Sequence, residues 1–148
     1  MTFKVGIAGY GIVGKTRHKA LDNHQSFEVV AVSDINFKKD PIALDGINVY
    51  SDYKDLLNEE NLDVIFISLP NKLASAATLD GLKKGLHVFC EKPPARSLAE
   101  LNPIKTFVDK NTDLRLMYGF NHRFHASIMD AIKIIKDGSM GEVVNLRG

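Results

Sequence analysis

Val5-Gly6-Ile7-Ala8-Gly9-Tyr10-Gly11-Ile12-Val13-Gly14 is the stretch that decides the fold. Phe3 to Ala8 reads as a short apolar strand, and Ile12 to Asn23 reads as a helix. Between them the glycines fit the pattern GxGxxG. Such a pattern alone is weak, because glycines cluster in many turns; its place between a strand and a helix makes it specific. Gly9 permits a tight turn, Gly11 lets the backbone approach a diphosphate, and Gly14 lets helix and strand pack closely. Gly11, Ile12, Val13 and Gly14 open a helix whose free N–H groups and partial positive charge suit an anion. The bland alternative is a plain strand–helix turn.

Working outward, strand and helix patterns alternate. Phe27 to Ser33 is a valine-rich strand. Asn36 to Gly46 is polar and irregular, with room for a short helix. Val49-Tyr50 reads as a brief strand, and Ser51-Asp52 as the cap of a short helix through Asn58. Val64 to Leu69 is almost uniformly apolar, as in a strand covered on both faces. Leu73 to Lys84 is a helix ended by Gly85. Leu86 to Cys90 is the next strand. Ser97 to Lys110 is a helix whose Ser97 and Glu100 make a capping-box pattern. Leu114 to Phe120 is a further strand. Strands separated by helices imply parallel pairing through right-handed crossovers. The expected fold is α/β, a doubly wound and mostly parallel sheet of the Rossmann type, over residues 1–120. Residues 121–148 read differently: a helix over Ala126 to Lys136, then a strand over Gly141 to Arg147. They read as a linker helix and the first strand of a truncated second α/β domain. The strand over Val143 to Leu146 is open to pairing between chains, so a homo-oligomer is allowed.

The totals bound the function. The chain has 148 residues, 45% of them hydrophobic, with 19 basic against 18 acidic. That balance gives no electrostatic case for nucleic acid or an anionic membrane surface. No apolar stretch approaches the roughly 18 residues of a membrane span. The single cysteine, Cys90, excludes an internal disulfide and fits a reducing compartment. A strand that starts at Phe3 leaves no room for a signal peptide, so the expected location is cytoplasmic.

In a parallel sheet, ligands bind beyond the carboxyl ends of the strands. Asp34 ends the second strand, where an acid accepts the ribose hydroxyls of an adenosine and repels a 2′-phosphate. NAD is therefore expected over NADP, although Lys38 and Lys39 follow in the next loop. Ser68-Leu69-Pro70-Asn71 follows the most apolar strand; Asn71 is placed to bond a ribose or carboxamide, and Pro-Asn is equally a turn pair. Glu91-Lys92-Pro93 follows the strand ending at Cys90. Lys92 there is a cation at the ligand crevice, with one neighbouring torsion fixed by Pro93. Arg123 suits a phosphate or substrate group, or an ion pair between domains. His122 and His125 have ligand spacing, yet no carboxylate or cysteine pair accompanies them, so no metal site is expected.

The glycine fingerprint, Asp34, Leu69-Pro70-Asn71 and His87-Val88-Phe89-Cys90-Glu91-Lys92-Pro93 together resemble the Gfo/Idh/MocA family of oxidoreductases. Gly119-Phe120-Asn121-His122-Arg123-Phe124 is similar to the segment where that family's chain leaves its first domain. Gly138-Ser139-Met140-Gly141-Glu142-Val143 is similar to the entry into its second. The resemblance implies a first domain that binds NAD or NADP, and a Lys92 that sits near the nicotinamide and positions or polarises the reacting hydroxyl. It implies that Glu91 contacts the cofactor or orients Lys92, and that Lys92-Pro93 is a candidate cis bond. The implied substrate is a small sugar or cyclitol. Two positions depart from the family pattern: Ala74 stands where a histidine is usual, and Pro94 follows Lys92-Pro93. The family's second domain supplies most substrate contacts and the rest of the catalytic group. The implied function is therefore an NAD-dependent oxidoreductase domain; the alternative is a dinucleotide-binding module or fragment without catalysis of its own.

Overall fold

The computed structural model of the chain describes residues 1–145 and Arg147. Six strands carry the fold: β1 (Phe3–Ala8), β2 (Phe27–Ser33), β3 (Asn48–Tyr50), β4 (Val64–Ile67), β5 (His87–Cys90) and β6 (Leu116–Tyr118). They form one sheet in the order β3-β2-β1-β4-β5-β6, and every pairing is parallel. The chain moves outward from β1 through β2 to β3, then returns beside β1 and moves the other way. The direction reverses between β1 and β4, and at such a switch point parallel sheets bind ligands beyond the carboxyl ends of the strands.

The helices are α1 (Ile12–Asp22), α2 (Tyr53–Glu59), α3 (Asn71–Lys83), α4 (Leu98–Lys110) and α5 (Ala126–Lys136). Alternation along the strands, offset by one residue at the irregularity between Val29 and Ala31 of β2, splits the apolar side chains between two faces. Ala8, Ala31, Ile65, Ile67, Val88 and Cys90 pack with residues of α2, α3 and α4. Val5, Ile7, Val29, Val32 and Val64 pack with Leu21 of α1 and with Tyr10. Ile65 and Ile67 are fully buried, so truncating either to Ala would cost about 2–5 kcal/mol. Gly81 of α3 lies so close to β4 that an added Cβ would stand 2.8 Å from Ile65 Cγ2.

Several local expectations shift. The α3 helix starts at Asn71, because the Pro70 carbonyl already accepts from Leu73 and Ala74 N–H groups. Asp52 caps α2 through the Lys54 N–H, as its sequence suggests. The capping box at Ser97 does not form: Ser97 makes no side-chain cap bond. Glu100 instead accepts from the Arg96 backbone and guanidinium, two donors of which one is charged. These bonds hold the Glu100 carboxyl below its usual range. The Ser75 hydroxyl of α3 donates to the same carboxylate.

The strand expected from Gly141 to Arg147 is not built. Residues 141–145 carry no strand, and Leu146 lies outside the described residues. The physical reason is the missing ladder: an isolated extended segment leaves its N–H and C=O groups unpaired by a neighbour. The edge for pairing between chains is therefore not formed by 143–145. Helix α5 does form, and all its residues are exposed.

Candidate active site

All six strands run the same way, so the sequence-marked loops meet at one edge of the sheet. The glycine loop is the tightest part. Gly9 has φ +91, and a Cβ there would stand 2.5 Å from the Ser68 carbonyl oxygen. A Cβ at Gly14 would collide with the Gly9 carbonyl oxygen. Gly11, by contrast, faces open space with nothing within 4 Å of an added Cβ. Two glycines are thus needed by the protein itself, and the third leaves an approach free. Gly11 caps α1 without any side-chain hydrogen bond, so the first-turn N–H groups are not taken by a cap. Ile12 and Val13 are exposed at that terminus, Ile12 by 87%.

These residues fit a dinucleotide. The buried Ser68 hydroxyl has no hydrogen-bond partner and lies in the loop that touches Gly9. A buried hydroxyl left unpaired is costly, and a ligand group at the crevice would satisfy it. Beside β2, a cavity of about 310 Å³ is lined by Asp34, Ile35, Tyr53, Leu69 and Leu73 among others. Its apolar residues, with Asp34 and Asp52 at the polar edge, suit a flat heterocycle joined to a ribose.

Asp34 is already engaged. Its carboxylate accepts from Tyr10 N–H at 3.0 Å and from Asn36 N–H at 3.0 Å. It therefore ties the end of β2 to the glycine loop, and a carboxylate keeps further lone pairs for a ligand in the cavity that Asp34 lines. Asn71 is exposed and, among the described residues, makes no side-chain bond. Ala74, where a histidine was expected from the resemblance, is buried at 2% exposure and packs in the core.

Beyond β5 the chain makes the cis Lys92-Pro93 peptide implied by the resemblance. Lys92, Gly119, Phe120, Asn121, His122 and Arg123 line a cleft of about 450 Å³. Arg123 thus stands beside Lys92 and not beside the glycine loop; its guanidinium lies 5.5 Å from the centre of the Phe124 ring. Lys92 is exposed and has no ion-pair partner among the described residues. Among them no cluster of three His, Cys, Asp or Glu forms a metal site; His122 and His125 stack on each other instead.

Glu91 does something the sequence did not announce. Its Oε1 accepts from Arg17 Nε of α1 at 2.6 Å, and Arg17 NH2 pairs with the same oxygen. The Arg17 guanidinium also lies 5.2 Å from the centre of the Phe89 ring. Gly119 closes over this pair: a Cβ there would stand 2.9 Å from Glu91 Oε2 and 3.2 Å from Phe89. A signal was present, since Gly14, Arg17, His18 and Leu21 form the sheet-facing stripe of α1. A cation in such a stripe needs a partner on the sheet. His18 is mostly covered: its Nδ1 is 2.5 Å from the Tyr10 hydroxyl, and its Nε2 is 3.3 Å from Asp22.

Cys90 is buried and free, and burial pushes its thiol up, which makes it a packing residue and not a nucleophile. Burial, and then the neighbouring Cys90, push Tyr118 up to about 12. A folded-state value above the ordinary 10 means the phenol stabilises the fold below pH 10 and that this share is lost toward pH 12. An alkaline melt followed by circular dichroism should show destabilisation in that window. Tyr118→Phe should flatten the part due to this residue; an unchanged slope would assign it to Tyr50, also raised to about 12, or to Tyr53.

The geometry can be set beside known proteins. The family model described as "Oxidoreductase family, NAD-binding Rossmann fold" matches residues 3–120. Inositol 2-dehydrogenase of Salmonella typhimurium is 32% identical over 153 residues, covering 100% of this chain and 46% of that protein. The chain thus spans about half the length of the curated relatives it matches. The crystal structure of myo-inositol 2-dehydrogenase from Lactobacillus plantarum superposes with TM-score 0.83 at 26% identity, covering 97% of this chain and 44% of that one. Scyllo-inositol dehydrogenase from Lactobacillus casei, solved with NAD(H) and scyllo-inositol, shares the fold with TM-score 0.84 at 24% identity, covering 96% and 43%. With the glycine loop, the parallel sheet and the Glu91-Lys92-Pro93 turn all in place, the chain belongs to the Gfo/Idh/MocA oxidoreductase family, as its NAD-binding Rossmann domain.

Proposed function

We propose that residues 1–120 bind NAD along the carboxyl edge of the sheet and serve an oxidoreductase acting on a ring hydroxyl of a cyclitol or sugar. The observation that carries this reading is the juxtaposition at one edge of an uncapped helix N-terminus and an exposed Lys92 that has no acidic partner among the described residues. Gly9, Gly11, Ile12, Val13 and Gly14 hold the diphosphate. Asp34 accepts a ribose hydroxyl of the adenosine half. Ser68, Leu69, Pro70 and Asn71 border the nicotinamide half. Bound NAD supplies the hydride acceptor at its C4. Lys92 donates a hydrogen bond to the substrate hydroxyl, which holds the carbon toward the cofactor and favours loss of the hydroxyl proton. Arg123 takes a substrate group in the same cleft. The inositol dehydrogenases among the relatives support a cyclitol as the first substrate to test.

Residues 121–148 are read as the passage into a second domain, with α5 as its first element. The apolar residues Ile128, Met129, Ile132 and Ile135, each 38% to 55% exposed, support this, since such a stripe is normally covered. A buried free thiol is consistent with a reducing, cytoplasmic setting. No helix is long and apolar enough to cross a membrane among the described residues.

Calorimetric titration of this chain with NAD tests the binding half, and an inositol-dependent NADH assay tests the reaction. Binding without turnover by these 148 residues favours the module reading of the isolated chain. The absence of binding at millimolar NAD overturns both. Cofactor choice is tested best with Asp34→Asn, which keeps an oxygen for the Tyr10 N–H. Losing the charge that repels a 2′-phosphate should lower the NADP-to-NAD ratio of dissociation constants about tenfold. An unchanged ratio would remove Asp34 from the ribose.

A further inference from the structure

We infer that Arg17 is a positioning residue: by holding Glu91, it keeps the nearest carboxylate away from Lys92 and leaves the lysine free for substrate. Glu91 precedes Lys92 directly; the two point to opposite faces, so its carboxylate reaches the Lys92 ammonium only by swinging round the end of β5, and Arg17 blocks that swing. Its Oε2 lies against Gly119, and Gly119 lines the cleft that contains Lys92. An unheld Glu91 would therefore sit beside that cleft, free to pair with its cations, Lys92 among them. Arg17 prevents this from the other side, with Nε at 2.6 Å from Oε1 and its guanidinium set over Phe89. The pair is mostly covered, with side-chain exposures of 23% and 14%, so the tether is shielded from water.

The other ionisable residues lining the cleft are His122 and Arg123 from the segment after β6, and neither is an acid. Register explains the split. Phe89 and, one step past the end of β5, Glu91 share the face on which Arg17 of α1 lies, and Gly119 continues the row of Met117 on the neighbouring strand. Lys92 has the opposite parity and leaves the sheet at Pro93. The residue that opens the dinucleotide-binding helix one turn earlier, Gly14, lies on the same stripe as Arg17. The tether thus joins the cofactor helix to the strand that presents the lysine.

The inference rests on the reading of Lys92 as the substrate lysine, and its test is read without NAD or substrate, so the two can fail separately. The test is the acetylation rate of Lys92 by N-hydroxysuccinimidyl acetate at about pH 8, read by peptide mass spectrometry against exposed Lys72. Arg17→Met should slow Lys92 about two- to fivefold, the size of an exposed ion pair formed with the released Glu91. Arg17→Lys should restore most of the rate. Arg17→Met/Glu91→Gln should return it to that of the unaltered chain. An unchanged rate in folded Arg17→Met, or equal slowing in the double variant, would overturn the inference and leave a purely structural ion pair. If Arg17→Met fails to fold by circular dichroism, Glu91→Gln decides: a rate kept or raised supports the role, and a lowered rate overturns it.

Discussion

If the proposed function holds, Lys92→Ala in an enzyme that carries this domain should lower kcat by about 10²- to 10⁴-fold while leaving the dissociation constant of NAD within about threefold. The expected split follows from where Lys92 stands. It lines the cleft beyond β5, two strands away from the glycine loop beyond β1, so it lies off the path of the diphosphate. On the proposed reading, removing it costs an interaction with the reacting hydroxyl that matters most as the proton departs. Lys92→Arg should not rescue, because a guanidinium is larger and keeps its charge fixed. The measurement is steady-state kinetics with inositol beside a calorimetric NAD titration. A kcat within tenfold of the unaltered enzyme would mean that Lys92 does not touch the reacting atoms.

Gly14→Ala should weaken NAD binding by on the order of 100-fold, about 2.7 kcal/mol, and destabilise the fold by about 2–4 kcal/mol. A single methyl suffices because the obstacle is backbone. The added Cβ would land on the Gly9 carbonyl oxygen, which no rotamer change can move. Gly9 cannot yield either, since it is pressed on Ser68 from the other side. Helix α1 must then shift away from β1, and the first-turn N–H groups move with it. Gly11→Ala is the internal comparison: with nothing within 4 Å, it should keep stability and lose affinity through direct obstruction of the ligand. Chemical denaturation and NAD titration of both variants separate the two effects. Equal stability of Gly14→Ala and Gly11→Ala would refute the backbone argument.

The local elements were largely legible because their signals are local. The apolar run at Val64–Ile67 needs no context to be a doubly covered strand, and its burial follows. The glycine loop was legible for a similar reason, since its neighbours in sequence are also its neighbours in space. Elements that depend on a distant partner were less legible. The N-terminus of α4 looked like a capping box, yet Arg96 and Ser75 claim Glu100, and Ser75 lies 25 positions away. The strand beyond Gly141 had the composition of a strand, but composition does not provide a neighbour to pair with.

The sequence by itself determined the order of strands and helices, the dinucleotide loop, and the lysine at the end of β5. It could do so because hydrophobic period, glycine spacing and proline position act within a few residues. Only the tertiary structure decided what each marked side chain touches. It gave Asp34 to the Tyr10 and Asn36 amides, Glu91 to Arg17, and Arg123 to the lysine cleft. Arg17 and Glu91 are 74 positions apart, and they meet only because β5 packs two strands from β1 beneath α1. No local signal specifies such a meeting. It exists once parallel pairing has brought the carboxyl ends of the strands to a single edge.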